Sequence, residues 1–119
     1  TFGHQAGDEV LKKVAHILRL HARQSDFVVR YGGEEFVVVL PNTDLEDALR
    51  VAERFRYAIE HAQWDLRPVT GSFGVATRTD TMQTRQELIE QVDQALYQAK
   101  HTGRNRVCTL NEQNLTHAA

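Results

Sequence analysis

The sequence predicts an α+β domain, with helices packed on one face of a largely antiparallel sheet. Two runs of β-branched and aromatic residues, Phe27-Val28-Val29-Arg30-Tyr31 and Phe36-Val37-Val38-Val39-Leu40, flank a short glycine-containing segment, which is a hairpin signal. Three further segments carry apolar residues at helical spacing. The predicted order is helix, strand, strand, helix, strand, helix, short strand.

The first helix is expected from Asp8 to about Ala22, with Val10, Leu11, Val14, Ile17 and Leu18 as its apolar stripe and Gly7 just before it. The hairpin follows. Its second run is continuously apolar, which predicts a strand buried on both faces. Pro41-Asn42 ends that strand, and Thr43 with Glu46 three residues later has the form of a capping box. The helix behind it carries Leu45, Ala48, Leu49, Ala52, Phe55 and Ile59 on one face. Val69 to Ala76 reads as a strand with close backbone packing at Gly71 and Gly74. Thr84 and Glu87 repeat the capping-box spacing, and Leu88, Ile89, Val92, Ala95, Leu96 and Ala99 form the next stripe. Gly103 suits the C-terminal cap of that helix, and Val107-Cys108-Thr109 a last short strand. One domain is expected over 1–110, with a polar, frayed tail over 111–119.

The 119 residues suit a single domain, and 41% hydrophobic with 25% charged residues is ordinary for a globular protein. A formal net charge of −2 supplies no global field for long nucleic acid, yet leaves room for a small anion held by local arginines. The single cysteine, Cys108, has no internal disulfide partner and reads as a buried or half-buried strand residue. No apolar run reaches the roughly 18–20 residues that span a bilayer, and no signal peptide is visible. A cytoplasmic setting is expected, with a membrane anchor elsewhere in a parent protein left open.

Chemistry concentrates in a few places. Gly32 and Gly33 let backbone approach a ligand, because no Cβ stands in the way. Glu34 and Glu35 place two adjacent carboxylates beside them, and a divalent cation such as Mg²⁺ is the usual balance for such a pair. An exposed hairpin with solvated glutamates fits the spacing equally well. Lys100 and Arg104, at the end of the last helix, suit its dipole or clamp phosphates, with Arg106 nearby. Arg23 and Asp26, three apart, read as a local ion pair, and Asp8 as a helix-terminal acid. The histidines show no metal-ligand spacing, and His16 and His21 read as helix surface.

Taken together these segments resemble the diguanylate cyclase (GGDEF) family. Arg30-Tyr31-Gly32-Gly33-Glu34-Glu35-Phe36 resembles the GGEEF form of its signature, and Gly3-His4-Gln5-Ala6-Gly7-Asp8 its GHxxGD segment. Ser72-Phe73-Gly74-Val75-Ala76 is similar to its S-x-G-[IV]-A strand. Ala95-Leu96-Tyr97-Gln98-Ala99-Lys100 with Gly103-Arg104-Asn105-Arg106-Val107 is similar to its ALYxAKxxGRNRV ending. The resemblance covers residues 1–108, with four motifs in order.

The resemblance implies a nucleotide-cyclase, palm-like fold and condensation of two GTP molecules into cyclic di-GMP with release of pyrophosphate. Two domains would face each other as a homodimer, downstream of a sensor or regulatory domain in the parent protein. It implies Glu34 as metal ligand and catalytic residue for Mg²⁺ or Mn²⁺, with Glu35 supporting it. Gly32 and Gly33 would admit the nucleotide, Asp8 read the guanine edge, and Lys100 and Arg104 contact the β- and γ-phosphates. Arg23-Gln24-Ser25-Asp26 is similar to the family's inhibitory RxxD site, to which Arg54 would add a second arginine.

The family also carries an aspartate-bearing strand and a preceding helix ahead of GHxxGD, and neither is present in this sequence. The resemblance therefore implies an N-terminally truncated domain, weak or inactive as a cyclase by itself, or one whose gap another chain fills. A non-catalytic cyclic di-GMP receptor and a dimerisation domain are the competing readings. The intact GGEEF favours the enzyme.

Overall fold

The computed structural model describes residues 3–31, 33–78 and 84–110, with backbone alone at 3–6. Its elements are α1 (Gly3–His21), β1 (Phe27–Arg30), β2 (Phe36–Val39), α2 (Leu45–His61), β3 (Phe73–Val75), α3 (Arg85–His101) and β4 (Val107–Thr109). The α+β class and the order of elements are those expected. The tail from residue 111 lies outside the described residues. The chain divides into two compact units, Thr1–Asn42 and Thr43–Ala119.

In the first unit, α1 opens at Gly3, about a turn earlier than the sequence suggests, so Gly7 is internal. A glycine inside a helix costs only about 1 kcal/mol against alanine, too little to stop one. Asp8 consequently lies in the second turn, exposed to solvent, instead of at the helix start. The helix buries Ala15, Ile17 and Leu18. β1 and β2 pair antiparallel, from Phe27 opposite Val39 to Arg30 opposite Phe36.

The expectation that β2 is buried on both faces is not met. Phe36, Val37 and Val38 are half-buried, and Val39 is 48% exposed. Among the described residues β2 pairs with β1 alone, which leaves its second edge and much of its apolar surface in contact with solvent. Phe27, Val29 and Tyr31 on the neighbouring strand and turn are likewise more than half exposed.

In the second unit, Asp44, one residue after the Thr43 to which the capping-box spacing pointed, is the N-cap of α2 and accepts from the Asp47 backbone N–H at 2.9 Å. α2 buries Ala48, Val51, Ala52, Phe55 and Ile59. The strand expected over 69–76 is confined to Phe73–Val75. It pairs with β4 in parallel, Phe73 opposite Val107, unlike the antiparallel β1–β2 pair; the sequence suggested a largely antiparallel sheet and gave no direction for this pair. The parallel direction follows from the connection: α3 lies between the two strands in the chain, and a helical crossover returns the chain in the same direction.

The Thr84–Glu87 capping box of α3 forms as expected. Phe55 and Phe73 stack with ring centroids 6.3 Å apart, and Ala95 and Ala99 are fully buried. Cys108 is buried in β4, as its strand context suggested. Among the described residues, no helix is long and apolar enough to cross a membrane.

Candidate functional site

The candidate residues fall into three clusters, two in the first unit and one in the second. The first is the hairpin tip. Tyr31 N–H donates to the Glu35 carbonyl at 2.8 Å and closes the turn. Arg30 reaches over it, its Nε and Nη2 donating to the Gly33 carbonyl at 3.2 and 2.5 Å. Gly33, Glu34 and Glu35 are exposed, while Gly32 lies outside the described residues. Arg30 therefore braces the chain at Gly33, next to the exposed Glu34 and Glu35. Among the described residues no group of three or more His, Cys, Asp or Glu is gathered to hold a metal ion. Two adjacent exposed carboxylates still fit Mg²⁺, which takes one or two protein carboxylates and completes its shell with water and phosphate oxygens.

The second cluster is Arg23 with Asp26, between α1 and β1. Arg23 Nε lies 3.1 and 3.2 Å from the two Asp26 oxygens, and Nη2 lies 2.9 Å from Oδ1. The Arg23 backbone N–H donates to Asp26 Oδ2 at 2.8 Å, and the Asp26 N–H returns a bond to the Arg23 carbonyl at 3.0 Å. The Asp26 side chain has no exposed surface, whereas that of Arg23 is 43% exposed. This is an asymmetric pair, with a buried carboxylate aiming an accessible guanidinium. The pair borders an open cleft of about 300 Å³ lined also by Arg19, Ala22, Phe27 and Val29.

The third cluster is the end of α3 and the loop behind it. Lys100 is in the last turn, half-buried, and Arg104 is exposed just beyond. Gly103 has φ +138°, as a C-terminal cap requires, and Arg104 and Asn105 follow at +61° and +47°. Arg104 N–H donates to the Ala99 carbonyl at 2.9 Å. Arg54 belongs to the same unit, exposed on α2 beside a cleft of about 570 Å³ that Leu49, Arg50, Glu53 and Tyr57 also line.

Sequence reasoning missed Arg56. It is only 8% exposed and donates through Nε and Nη2 to the Glu53 carboxylate at 2.8 and 2.7 Å. Its Nη1 donates to Glu60 Oε1 at 2.7 Å and to Asn105 Oδ1 at 2.9 Å. The signal was present: an arginine beside the apolar stripe, with glutamates at i−3 and i+4, is placed to be buried and paired. The Glu53 hydrogen bond, against the cost of burial and with help from Glu60, raises the Arg56 pKa further above its ordinary range.

Glu60 is held below its ordinary value of 4.5, first by the hydrogen bond from Arg56 and then by that from Asn105. A depressed carboxylate pKa stabilises the fold above the unfolded value, and that contribution is lost as pH falls through the folded one. Melting temperatures between about pH 3 and pH 6 should therefore fall on acidification, and less steeply in a Glu60→Gln variant. Superimposable profiles would show that the Glu60 contacts add nothing.

A family model described as diguanylate cyclase, GGDEF domain, matches residues 1–106. The chain belongs to the GGDEF family. This GGDEF chain is 43% identical over 122 residues to diguanylate cyclase A of Treponema denticola, covering 99% of the chain and 33% of that relative. It thus spans about a third of that protein's length. Among solved structures it is similar to the active GGEEF domain of a diguanylate cyclase from Vibrio cholerae, at TM-score 0.81 and 35% identity, over 90% of this chain and 70% of that one. It is also similar to the GGDEF domain of DgcB from Caulobacter crescentus in complex with c-di-GMP, at TM-score 0.83 and 34% identity, over 89% and 66% of the two chains.

Proposed function

We propose that this GGDEF chain contributes to a diguanylate cyclase that condenses two GTP molecules into cyclic di-GMP. The observation that carries the reading is the hairpin tip, with exposed Glu34 and Glu35 at a turn braced by Arg30, in a chain of this family. In the reaction each 3′-hydroxyl attacks the α-phosphate of the other GTP, and pyrophosphate leaves. Both bonds form between two nucleotides, so the protein's main task is positioning, with two GGDEF domains facing each other as a homodimer. Output of that dimer would be set by an upstream sensor or regulatory domain.

Glu34 is the residue that would hold Mg²⁺ or Mn²⁺, with Glu35 in support, and Glu34 also accepts the hydroxyl proton. The ion supplies charge stabilisation at the phosphates. Gly32 and Gly33 admit the nucleotide to the turn, Asp8 hydrogen-bonds the guanine edge, and Lys100 and Arg104 hold the β- and γ-phosphates. Arg23, Asp26 and Arg54 bind cyclic di-GMP as an inhibitory site. The aimed Arg23 guanidinium supports that last assignment, since a pre-oriented fork loses less freedom on meeting a phosphate. The domain assignment is one GGDEF unit over 1–110 followed by a polar tail.

GTP and cyclic di-GMP titrations with and without Mg²⁺ test the reading. Mg²⁺ is expected to strengthen GTP binding, and Glu34→Gln to remove about tenfold of that gain, the worth of one charged contact. Binding of the dinucleotide but not of GTP would instead make the chain a receptor. GTP affinity indifferent to both the metal and Glu34→Gln would remove the hairpin from the site.

A further inference from the structure

Arg104 and Asn105 are consecutive residues in the left-handed region, at φ +61° and +47°. That conformation costs a non-glycine residue roughly 1–2 kcal/mol, and asparagine less than arginine. Such a loop persists only where its surroundings hold it. Here the hold comes from both sides of Arg104. Its N–H is taken by the Ala99 carbonyl, and its own carbonyl accepts from Arg106 Nε at 3.1 Å. The next residue is anchored at every polar group of its side chain. Asn105 Oδ1 accepts from Arg56 Nη1 at 2.9 Å, and its Nδ2 donates to Glu60 Oε2 at 3.1 Å. Its backbone N–H donates to Ser72 Oγ at 3.2 Å.

Arg56 is the centre of this arrangement. Its bidentate bond to Glu53 fixes the plane of the guanidinium, which leaves Nη1 to serve Glu60 and Asn105 together. Arg56 and Glu60 therefore form, on one helix, a complementary donor and acceptor for the two ends of a carboxamide. An aspartate at 105 would repel Glu60, and an alanine would offer Arg56 nothing. The network is nearly buried at Arg56 and opens at the exposed Arg104.

We infer that Arg56 is a positioning residue for phosphate recognition: with Glu53 and Glu60 it holds Asn105, and so fixes the Cα from which Arg104 reaches the β- and γ-phosphates of GTP. This rests on the reading of Arg104 as a phosphate contact. Arg56 touches no phosphate itself. Its effect falls on the terminal phosphates and leaves guanine, ribose and the α-phosphate alone.

The comparison of GTP with GMP isolates that effect, since GMP lacks the two terminal phosphates. Both are titrated with Mg²⁺ into the wild-type protein and into Arg104→Ala, Arg56→Gln and Asn105→Gly variants. Asn105→Gly keeps the left-handed backbone accessible and deletes only the anchored amide, so it reports on the tie even if Arg56→Gln folds poorly. Each of the three is expected to weaken GTP binding about tenfold, with GMP affinity unchanged within about twofold. If Arg104→Ala weakens GTP binding while Asn105→Gly does not, the positioning role is wrong and the phosphate reading stands. Equal losses for GTP and GMP in Asn105→Gly and Arg56→Gln would make the network merely structural and overturn the inference. A wild-type GTP affinity in Arg104→Ala would refute the phosphate reading, and the inference with it.

Discussion

Replacing Gly74 with alanine is expected to lower the stability of the second unit by about 3 kcal/mol, at the upper end of overpacking costs. A Cβ there would lie 2.6 Å from the Val92 carbonyl oxygen and 2.9 Å from Leu96 Cα, and would overlap the Leu96 nitrogen. All three are backbone atoms of α3, and no rotamer change can move them away. Relief requires shifting the whole helix off β3. That shift would also withdraw Ala95 and Ala99, which have no exposed surface, from the strands they cover. Urea titration followed by Trp64 fluorescence reads this unit directly. Trp64 is the only tryptophan, and its Nε1 donates to the Ile59 carbonyl at 2.8 Å. A Gly74→Ala midpoint equal to wild type would mean that α3 does not pack as closely as described.

The same contact links stability to the candidate site. Lys100 and Arg104 leave from the C-terminal end of α3, so the glycine that lets the helix lie on β3 also sets where those cations start. Gly103 contributes differently: it needs its positive φ, and a Cβ there would fall 2.7 Å from Arg106 Cζ. One glycine is required for helix–strand approach and the other for backbone conformation.

What could be read from the sequence divides along physical lines. The Thr84–Glu87 box was legible because both partners are local and no better cap competes. At Thr43–Glu46 the same spacing misled, because Asp44 is at least as good a cap as threonine and stands one residue on. The hairpin over 27–39 followed from two β-runs and a glycine turn, whereas its register came only with the structure. The parallel β3–β4 pairing was not legible, since strands of three residues carry too little pattern to declare direction. The exposure of Val39 shows the limit of composition: an apolar run states what a strand would bury, and neighbours decide whether it does. Among the candidate residues, the GGEEF, Lys100–Arg104 and Arg23–Asp26 elements were visible as short local patterns. Arg56 with Asn105 was not, because that contact closes over 49 residues and depends on two left-handed backbone positions that no residue type announces.

Asp26→Ala is expected to weaken cyclic di-GMP binding about thirtyfold while leaving GTP affinity within about twofold of wild type. The argument starts from the asymmetry of the pair. The Asp26 carboxylate is wholly buried and receives three bonds from the Arg23 guanidinium and one from its backbone. With the carboxylate gone, Arg23 loses its bidentate hold while keeping a long Nη2 bond to the Pro41 carbonyl at 3.5 Å. It regains much of a freedom worth about 2 kcal/mol in a long side chain, which a ligand must remove again on binding. Arg23→Ala removes the same contact by a costlier route, because it takes the charged partner away from a buried carboxylate. The two variants should therefore lose dinucleotide binding together and differ in melting temperature, Arg23→Ala being the less stable. Calorimetric titration of cyclic di-GMP beside thermal melts separates the cases. Loss of stability in Arg23→Ala with dinucleotide affinity unchanged in both would reduce the pair to a structural tie between α1 and β1.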